Sequence, residues 1–152
     1  MTPPLATIGY ESSTLSSVIE ALKTAKVELL VDVRAVASSR KAGFSKTMFA
    51  ASLDGAGVAY THLRDLGTPK AGRQAVRAGR PDVMHTLYAE HMRTEAAQAA
   101  LIQAVELTRE KRACLMCYED DWQCCHRTIV ADLIHRQTGA DILHLHPTPS
   151  LP

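Results

Sequence analysis

All four cysteines of the chain lie within the segment CLMCYEDDWQCCHR, which spans residues 114–127. The same segment holds three acidic residues, the only tryptophan, a histidine and an arginine. Thiols supply nucleophiles, carboxylates and imidazoles carry protons, and a guanidinium binds anions. This segment is therefore the first place to look for a functional site.

The Cys114–Cys117 pair forms a C-x-x-C pattern, but its surroundings do not favour a zinc or redox motif. The two residues between the cysteines, Leu115 and Met116, are apolar, and the segment has the composition of a buried strand. Residues three apart on a strand point to opposite faces, whereas a zinc or redox pair needs both sulfurs on one side. We therefore predict that Cys114 is a core residue and that Cys124, near Trp122, only packs in a loop.

The remaining thiols match no standard zinc spacing, so the sequence predicts no metal ligands. A site built from Cys117, Cys125 and His126, with His62 or Glu119 added, is sterically feasible and stays an alternative. A structural disulfide is not expected either, because disulfides are rare in cytosolic proteins.

The CHR segment favours an anion or a reactive thiolate. Cys125 and His126 stand where a helix is predicted to begin, and a helix N-terminus stabilises negative charge. Arg127 adds a fork of donors, His126 titrates near neutral pH, and Glu119 suits general acid–base work in a dry site. No arginine stands at the cysteine-phosphatase spacing from Cys117 or Cys125. We predict catalytic roles for Cys117, Glu119, Cys125 and His126.

The elements that position these residues are short apolar runs alternating with helical patterns. Strands are predicted at 5–9, 29–34, 58–63, 113–117 and 141–145, and a long basic loop precedes helices near 81–92 and 95–111. Near-continuous apolar strands separated by helices indicate a parallel sheet covered on both faces. The expected fold is one α/β domain over residues 1–152, with a core at about 5–146 and a frayed tail at 147–152. Its architecture is three-layered, Rossmann-like and doubly wound, with a mainly parallel five-stranded sheet in the order 3-2-1-4-5.

In such a fold the chemically rich loops share one edge of the sheet. GYESS, DVRAVASSR, LRDLGTPKAGR and CYEDDWQCCHR each follow a predicted strand. Ligands of doubly wound sheets bind at the carboxyl ends of the strands, where the strand order reverses. Asp32 and Arg34, two apart on a strand, also suit a plain structural ion pair. Ligand binding is predicted for Gly9, Tyr10, Glu11, Asp32, Arg34, Arg40 and Arg127.

Composition narrows the function classes. The chain has 152 residues, a net charge of +1 and 46% hydrophobic residues, which suits one soluble domain. No apolar run reaches the length of a membrane span, and no basic region followed by an apolar run starts the chain, so a cytoplasmic location is expected. The acid-free basic runs 34–46 and 70–80 suit solvated loops or contacts to nucleic-acid phosphates.

Four segments carry a family resemblance: TIGYESSTL, LLVDVR…SR…F, LGTPK and LMCYEDD…CHRTIVADL. Over roughly residues 5–146 the chain resembles domain-of-unknown-function family 488 of bacteria and archaea. The resemblance implies a small α/β fold without an established activity. Ala37 and Trp122 stand where the family often has proline, which bears on loop stiffness. The family pattern falls on Gly9, Tyr10, Glu11, Asp32, Arg34, Ser39, Arg40, Phe44, Leu66, Gly67, Cys117, Glu119, Cys125, His126 and Arg127.

Three functions follow from these residues. The first is a domain that binds, and as an enzyme transforms, a small anionic ligand of phosphate or nucleotide type. The alternative is a nucleic-acid-binding module that uses the basic runs 34–46 and 70–80, and the third is a thiolate–histidine metal site. The sequence identifies no cofactor and no oligomeric state, and it does not decide whether the ligand is turned over.

Overall fold

The computed structural model describes residues 2–149, in which a parallel sheet carries helices on both faces. The strands are β1 (Leu5–Gly9), β2 (Leu29–Asp32), β3 (Ala59–His62), β4 (Ala113–Cys117) and β5 (Ile142–His144). The helices are α1 (Leu15–Thr24), α2 (Lys46–Gly55), α3 (Lys70–Arg77), α4 (Pro81–His91), α5 (Glu95–Glu110) and α6 (His126–Thr138), with a 3-10 helix at Arg64–Leu66. The predicted three-layer α/β class with five parallel strands is confirmed.

The strand order is β3-β2-β4-β1-β5, so the predicted order 3-2-1-4-5 is wrong. Strand β4 lies between β2 and β1 and pairs with both, with Asp32 opposite Met116 and Gly9 opposite Cys117. The prediction assumed that β1 and β2, consecutive in the chain, are neighbours. Every residue of β4 is buried, whereas β3 and β5 are only partly buried. Strands β1 and β2, on either side of β4, are also buried at every residue, so the three inner strands of the sheet have both faces covered.

Each face of the sheet has its own hydrophobic core. Helices α1 and α2 cover one face with side chains such as Val18, Leu22, Phe49 and Leu53. Helices α3 to α6 cover the other. Strand β4 alternates between the two cores. Cys114 and Met116 belong to the first core, and Leu115 and Cys117 to the second. The prediction that Cys114 and Cys117 face opposite ways, with Cys114 in the core, is confirmed.

Helix α3 forms where the sequence predicted a basic loop. Its buried residues are Gly72 and Ala75, and the charged side chains at Lys70 and Arg77 are exposed. A helix that buries only small residues shows no apolar stripe in its sequence, so the periodicity rule misses it. The close packing of Gly72 is visible in its surroundings: an added Cβ would lie 2.5 Å from the Thr68 side chain.

The tail expected at 147–152 lies partly outside the described residues, which end at 149. Pro149 forms an isolated antiparallel bridge with Ser13. Within residues 2–149 no helix combines the length and the apolar character that crossing a bilayer requires.

Candidate functional site

The carboxyl edge of the sheet brings the end of β4 against the start of α6. Cys117 ends β4, and Cys125 is the N-cap of α6. The segment 118–124 connects them and folds back, so that the start of α6 lies against the end of β4. The two sulfur atoms meet there and form a disulfide across eight residues of sequence. The expectation that the chain has no disulfide is therefore wrong for this structure, because the strand end and the helix start converge on one point.

Both bonded cysteines are buried, with exposed fractions of 1% for Cys117 and 2% for Cys125. Two other polar side chains of the same helix turn, His126 and Arg127, are buried with them. A buried polar side chain needs a hydrogen-bond partner, so the contacts of these two residues show how the site is held.

His126 contacts both β2 and the sulfur pair. Its Nε2 lies 2.7 Å from the carbonyl oxygen of Val33, just beyond the end of β2, and its Nδ1 lies 3.8 Å from Cys125 Sγ. A carbonyl oxygen only accepts, so Nε2 carries the proton and Nδ1 keeps its lone pair. Burial lowers the pKa of His126 to about 4. The imidazole is therefore neutral at physiological pH and presents an unprotonated nitrogen to the sulfurs.

Arg127 holds the 118–124 segment through hydrogen bonds to its backbone. Its Nη1 donates to Cys117 Sγ at 3.0 Å and to the carbonyl oxygen of Glu119, and its Nη2 donates to the carbonyl oxygen of Asp120 at 3.2 Å. The side chain is fully buried, and its Nε has no hydrogen-bond partner among the described residues. Burial lowers the pKa of this guanidinium. The donors that the sequence assigned to a ligand go to protein acceptors in this structure.

Gly9 permits the close approach of β1 to the same segment. An added Cβ would lie 1.9 Å from the carbonyl oxygen of Glu119 and 3.1 Å from Arg127 Nη1. The next two backbone N–H groups, of Tyr10 and Glu11, both donate to the carbonyl oxygen of Tyr118 at 3.1 and 2.9 Å. Gly9 therefore positions the site by having no side chain.

Asp32 and Arg34 form a buried ion pair at the end of β2, as the structural alternative predicted, and their role in ligand binding stays a prediction. Arg34 Nη2 lies 2.7 Å from Asp32 Oδ2, and Arg34 Nη1 donates to the Tyr10 hydroxyl at 2.9 Å and to the Phe44 carbonyl oxygen at 2.8 Å. The Tyr60 hydroxyl also donates to Asp32. Burial alone would lower the pKa of Arg34, but the hydrogen bond and charge of Asp32 outweigh it and raise that pKa. This network joins the loop after β1, the loop after β2 and strand β3.

Glu119 is the acid closest to the sulfur pair in sequence. Its side chain is half-buried, and burial raises its pKa, to which the charge of Glu11 adds. The charges of Arg127 and Arg77 oppose that rise. A carboxyl group that holds its proton more tightly than usual suits a proton donor.

The exposed cations predicted to bind anions lie around this edge. Arg40 is exposed in the loop between β2 and α2, and the neighbouring Lys41 donates from Nζ to the carbonyl oxygen of Glu11 at 3.2 Å. Arg73 is occupied, because its Nη1 donates to the Thr68 carbonyl oxygen at 2.8 Å. Lys41 thus contacts the backbone of Glu11, and the positive charge of Arg77 acts on Glu119.

Sequence reasoning missed two parts of this site. The Trp122 ring stacks on the His144 ring at 4.2 Å between centroids, and His144 Nδ1 lies 2.6 Å from the Thr7 hydroxyl. Val33 contacts His126 only through its backbone carbonyl, so the identity of its side chain gives no sign of this role. Both contacts join residues that are far apart in the chain, so no local sequence pattern predicts them. Cys124 fits its prediction as a loop residue, with Sγ 3.4 Å from Asp121 Oδ2.

Comparison with known proteins places the chain in one family. The family described as "Domain of unknown function DUF488" matches residues 14–134, which include β2 to β4, both site cysteines and most of α6. No curated protein and no solved structure shows significant similarity to the chain. The matched region covers most of the sequence and includes the Cys/His cluster, and the chain belongs to the DUF488 family.

Proposed function

We propose that this protein is a thiol–disulfide redox protein whose Cys117–Cys125 pair exchanges two electrons with a small anionic thiol. The observation that carries the proposal is that both bonded sulfurs receive hydrogen bonds from Arg127. Its Nη1 lies 3.0 Å from Cys117 Sγ and its backbone nitrogen 3.5 Å from Cys125 Sγ. A cationic donor and a helix N-terminus both stabilise a thiolate, which is the leaving group of disulfide exchange.

The exchange proceeds in two balanced steps. A thiolate of the small molecule attacks one sulfur of the pair, a mixed disulfide forms, and the S–S bonding electrons leave on the other cysteine. A second thiolate then attacks the mixed disulfide and releases the small-molecule disulfide together with the second cysteine thiolate. Two small thiols are oxidised and one protein disulfide is reduced. Glu119 supplies a proton to a departing thiolate and recovers one from an incoming thiol.

The cations at the rim of the site favour an anionic partner. Arg40 and Arg77 are exposed, and Lys41 reaches the backbone of Glu11. A thiol that carries carboxylate or phosphate groups is attracted to such cations. The proposed ligand is therefore still the small anion predicted from the sequence, with a thiol as its reactive group. In this role His126 positions Cys125, and Gly9 positions the backbone of Glu119.

Access to the sulfurs requires the 118–124 segment to move. The segment is held by the contacts of Arg127 and by the stack of Trp122 on His144. Its side chains at Tyr118 and Asp121 are exposed, so the outer surface is open to solvent. Opening of this segment therefore sets the rate at which a small thiol reaches the pair.

A redox titration tests the proposal. The protein is equilibrated with glutathione buffers of varied oxidised-to-reduced ratio, quenched in acid, alkylated and analysed by mass spectrometry for each cysteine. We expect Cys117 and Cys125 to become protected together, with a midpoint that follows the ratio. The matched control Cys124→Ser should titrate as the wild type does, and Cys125→Ser should lose the two-electron step. The proposal fails if both cysteines stay alkylatable at every ratio, or change state only in denaturant.

The nucleic-acid alternative uses the exposed cations of α3. Lys70, Arg77 and Arg80 are exposed on this helix and just beyond its end. Binding through them would weaken steeply with salt, because each phosphate contact releases counterions. A fluorescent oligonucleotide titrated at low and moderate salt tests this alternative, and a flat response to salt excludes it.

A further inference from the structure

We infer that the reduced form of the site binds a thiophilic divalent metal ion of the zinc type through Cys117 Sγ, Cys125 Sγ and His126 Nδ1. The inference uses the cysteines of the proposed redox couple, but it does not depend on their exchange with a small thiol.

Although the two bonded sulfurs must separate on reduction, the three donor atoms already form one cluster. They all lie within 4.8 Å of one another, and the three residues are buried. Zinc bonds of about 2.3 Å to sulfur and 2.0 Å to nitrogen place tetrahedral ligand atoms about 3.5 to 3.8 Å apart. The distance from Cys125 Sγ to His126 Nδ1 is 3.8 Å. The imidazole and one sulfur therefore need little rearrangement to share an ion.

The backbone also accommodates two separate thiolates. The Cα atoms of Cys117 and Cys125 lie 7.4 Å apart. Disulfide-bonded cysteines usually have Cα atoms about 4.4 to 6.8 Å apart. The chain thus holds these residues at a spacing wider than the usual range for a direct bond, which leaves room for an ion between the sulfurs after reduction.

An independent observation comes from the hydrogen bonds around the donors. Metal-binding histidines almost always donate their second ring N–H to a carboxylate, a backbone carbonyl or water, which fixes the tautomer and the ring orientation. His126 does this through Nε2 to the Val33 carbonyl oxygen at 2.7 Å, and its Nδ1 faces the sulfurs. The side chain and backbone N–H groups of Arg127 reach the two sulfurs, as donors around bound thiolates do.

The donor set defines the class of ion. Two thiolates and one imidazole favour zinc and other borderline or soft divalent ions over magnesium or calcium. Two thiolates offset the charge of the ion, so Arg127 adds one positive charge to an otherwise neutral centre. Among residues 2–149 the cluster offers these three ligands, which leaves a fourth tetrahedral position for water or a substrate group. Three protein ligands with an open position are typical of catalytic zinc sites.

Oxidation and metal binding exclude each other at this site. A disulfide has no thiolate to offer, so the ion binds only after two electrons have reduced the pair. The oxidised structure and a metal-loaded reduced structure would be two states of one centre.

Cobalt substitution tests the inference on the full chain. The protein is reduced with a phosphine, freed of small thiols and titrated with Co²⁺ under anaerobic conditions. We expect a thiolate-to-cobalt charge-transfer band and intense visible bands of a tetrahedral site, saturating at one ion per chain. Zinc should displace the cobalt, and oxidation with diamide should abolish both bands.

Variants locate the ion. Cys117→Ser and Cys125→Ser should each remove part of the charge-transfer band. His126→Gln should leave the sulfur band and weaken affinity by at least the tenfold or so that follows the loss of a residue merely supporting a ligand. Cys124→Ser is the matched control, because Cys124 is adjacent in sequence and outside the cluster, and it should bind as the wild type does. Circular dichroism establishes that each variant is folded. The loss of the cobalt bands on oxidation of the wild-type protein is a test that needs no variant.

The inference is overturned if the reduced wild-type protein shows no charge-transfer band, or if Cys125→Ser leaves the band unchanged. The proposed redox function fails by a different measurement, the glutathione titration. A protein that binds cobalt but ignores glutathione retains the metal site and loses the exchange function.

Discussion

Arg127 Nη1 lies 3.0 Å from Cys117 Sγ, so the first turn of α6 hydrogen-bonds directly to the sulfur at the end of β4. The same guanidinium donates to the backbone carbonyls of Glu119 and Asp120. One buried side chain therefore holds the strand end, the helix start and the segment between them in a fixed relation. The cysteine pair depends on this relation because its two sulfurs come from the two elements.

Replacing Arg127 with methionine should destabilise the protein strongly. Methionine keeps an unbranched apolar side chain but removes every donor, so the carbonyls of Glu119 and Asp120 lose their partner. Hydrogen bonds that involve a charged group contribute about 1.5 to 3 kcal/mol each, and we expect the free energy of unfolding to fall by about 3 kcal/mol. Urea denaturation measures the loss. Arg136→Met, at an exposed position of the same helix, should change stability little, and equal losses in both variants would contradict the prediction.

Replacing Gly9 with alanine should disturb the same place from the opposite side. The added Cβ would lie 1.9 Å from the carbonyl oxygen of Glu119, a backbone atom that cannot rotate away. Overpacking of this kind costs about 1 to 3 kcal/mol, and we expect the upper end. Gly55→Ala is the control, because nothing lies within 4 Å of its added Cβ and alanine favours a helix by up to about 1 kcal/mol. Thermal unfolding should therefore shift down for Gly9→Ala and slightly up for Gly55→Ala.

The sequence predicted the parts of this fold that depend on local pattern. Strands β1 and β4 have the predicted bounds, because continuous apolar runs at 5–9 and 113–117 permit little else. The order of the sheet was predicted wrongly, since it depends on the pairing of β4 with β1 and β2, strands that lie far from it in the chain. Helix α3 was missed because Gly72 and Ala75 bury no apolar stripe.

The candidate site shows the same division between local and long-range information. The shared location of Cys117 and Cys125 followed from one being at a strand end and the other at the next helix start. Their bond, and the contact of His126 with Val33, depend on distances between elements that no local pattern encodes. The ion pair of Asp32 with Arg34 was one of two interpretations offered for these residues, since positions two apart in extended backbone share one face.

Removing the charge of Asp32 should lower the free energy of unfolding more than removing the hydroxyl group of Tyr60. Asp32→Asn leaves the Arg34 guanidinium buried without a counter-charge, and breaking a buried pair in this way costs about 3 to 5 kcal/mol. Tyr60→Phe removes one hydrogen bond to the same carboxylate and should lower the free energy of unfolding by about 1.5 to 3 kcal/mol. Chemical denaturation of both variants gives the comparison. The prediction is wrong if Tyr60→Phe is the more damaging change.

The two free cysteines should differ sharply in reactivity. Cys114 is fully buried, and burial raises the pKa of its thiol, so both access and thiolate formation are suppressed. Cys124 is partly exposed. Alkylation of the native oxidised protein should therefore label Cys124 first and Cys114 only after unfolding, as peptide mass spectrometry will show. Labelling of Cys114 in the folded protein at a comparable rate would contradict its place in the core.

The stack of Trp122 on His144 should report the protonation of His144. Burial lowers the pKa of His144, and the nearby positive charges of Arg127 and His146 add to that effect. The unfolded chain therefore takes up this proton first, near pH 6.5. The stability that the neutral ring contributes is present above that pH and is lost as the pH falls through the lower folded-state pKa.

Since Trp122 is the only tryptophan, its fluorescence gives the measurement directly. A protonated imidazole stacked on an indole quenches its emission, so emission should fall on acidification with a midpoint below pH 6.5. His144→Gln should remove this transition, and His85→Gln, at an exposed position of α4, should leave it in place. A midpoint above 6.5, or a transition that survives in His144→Gln, would mean that another group controls the tryptophan.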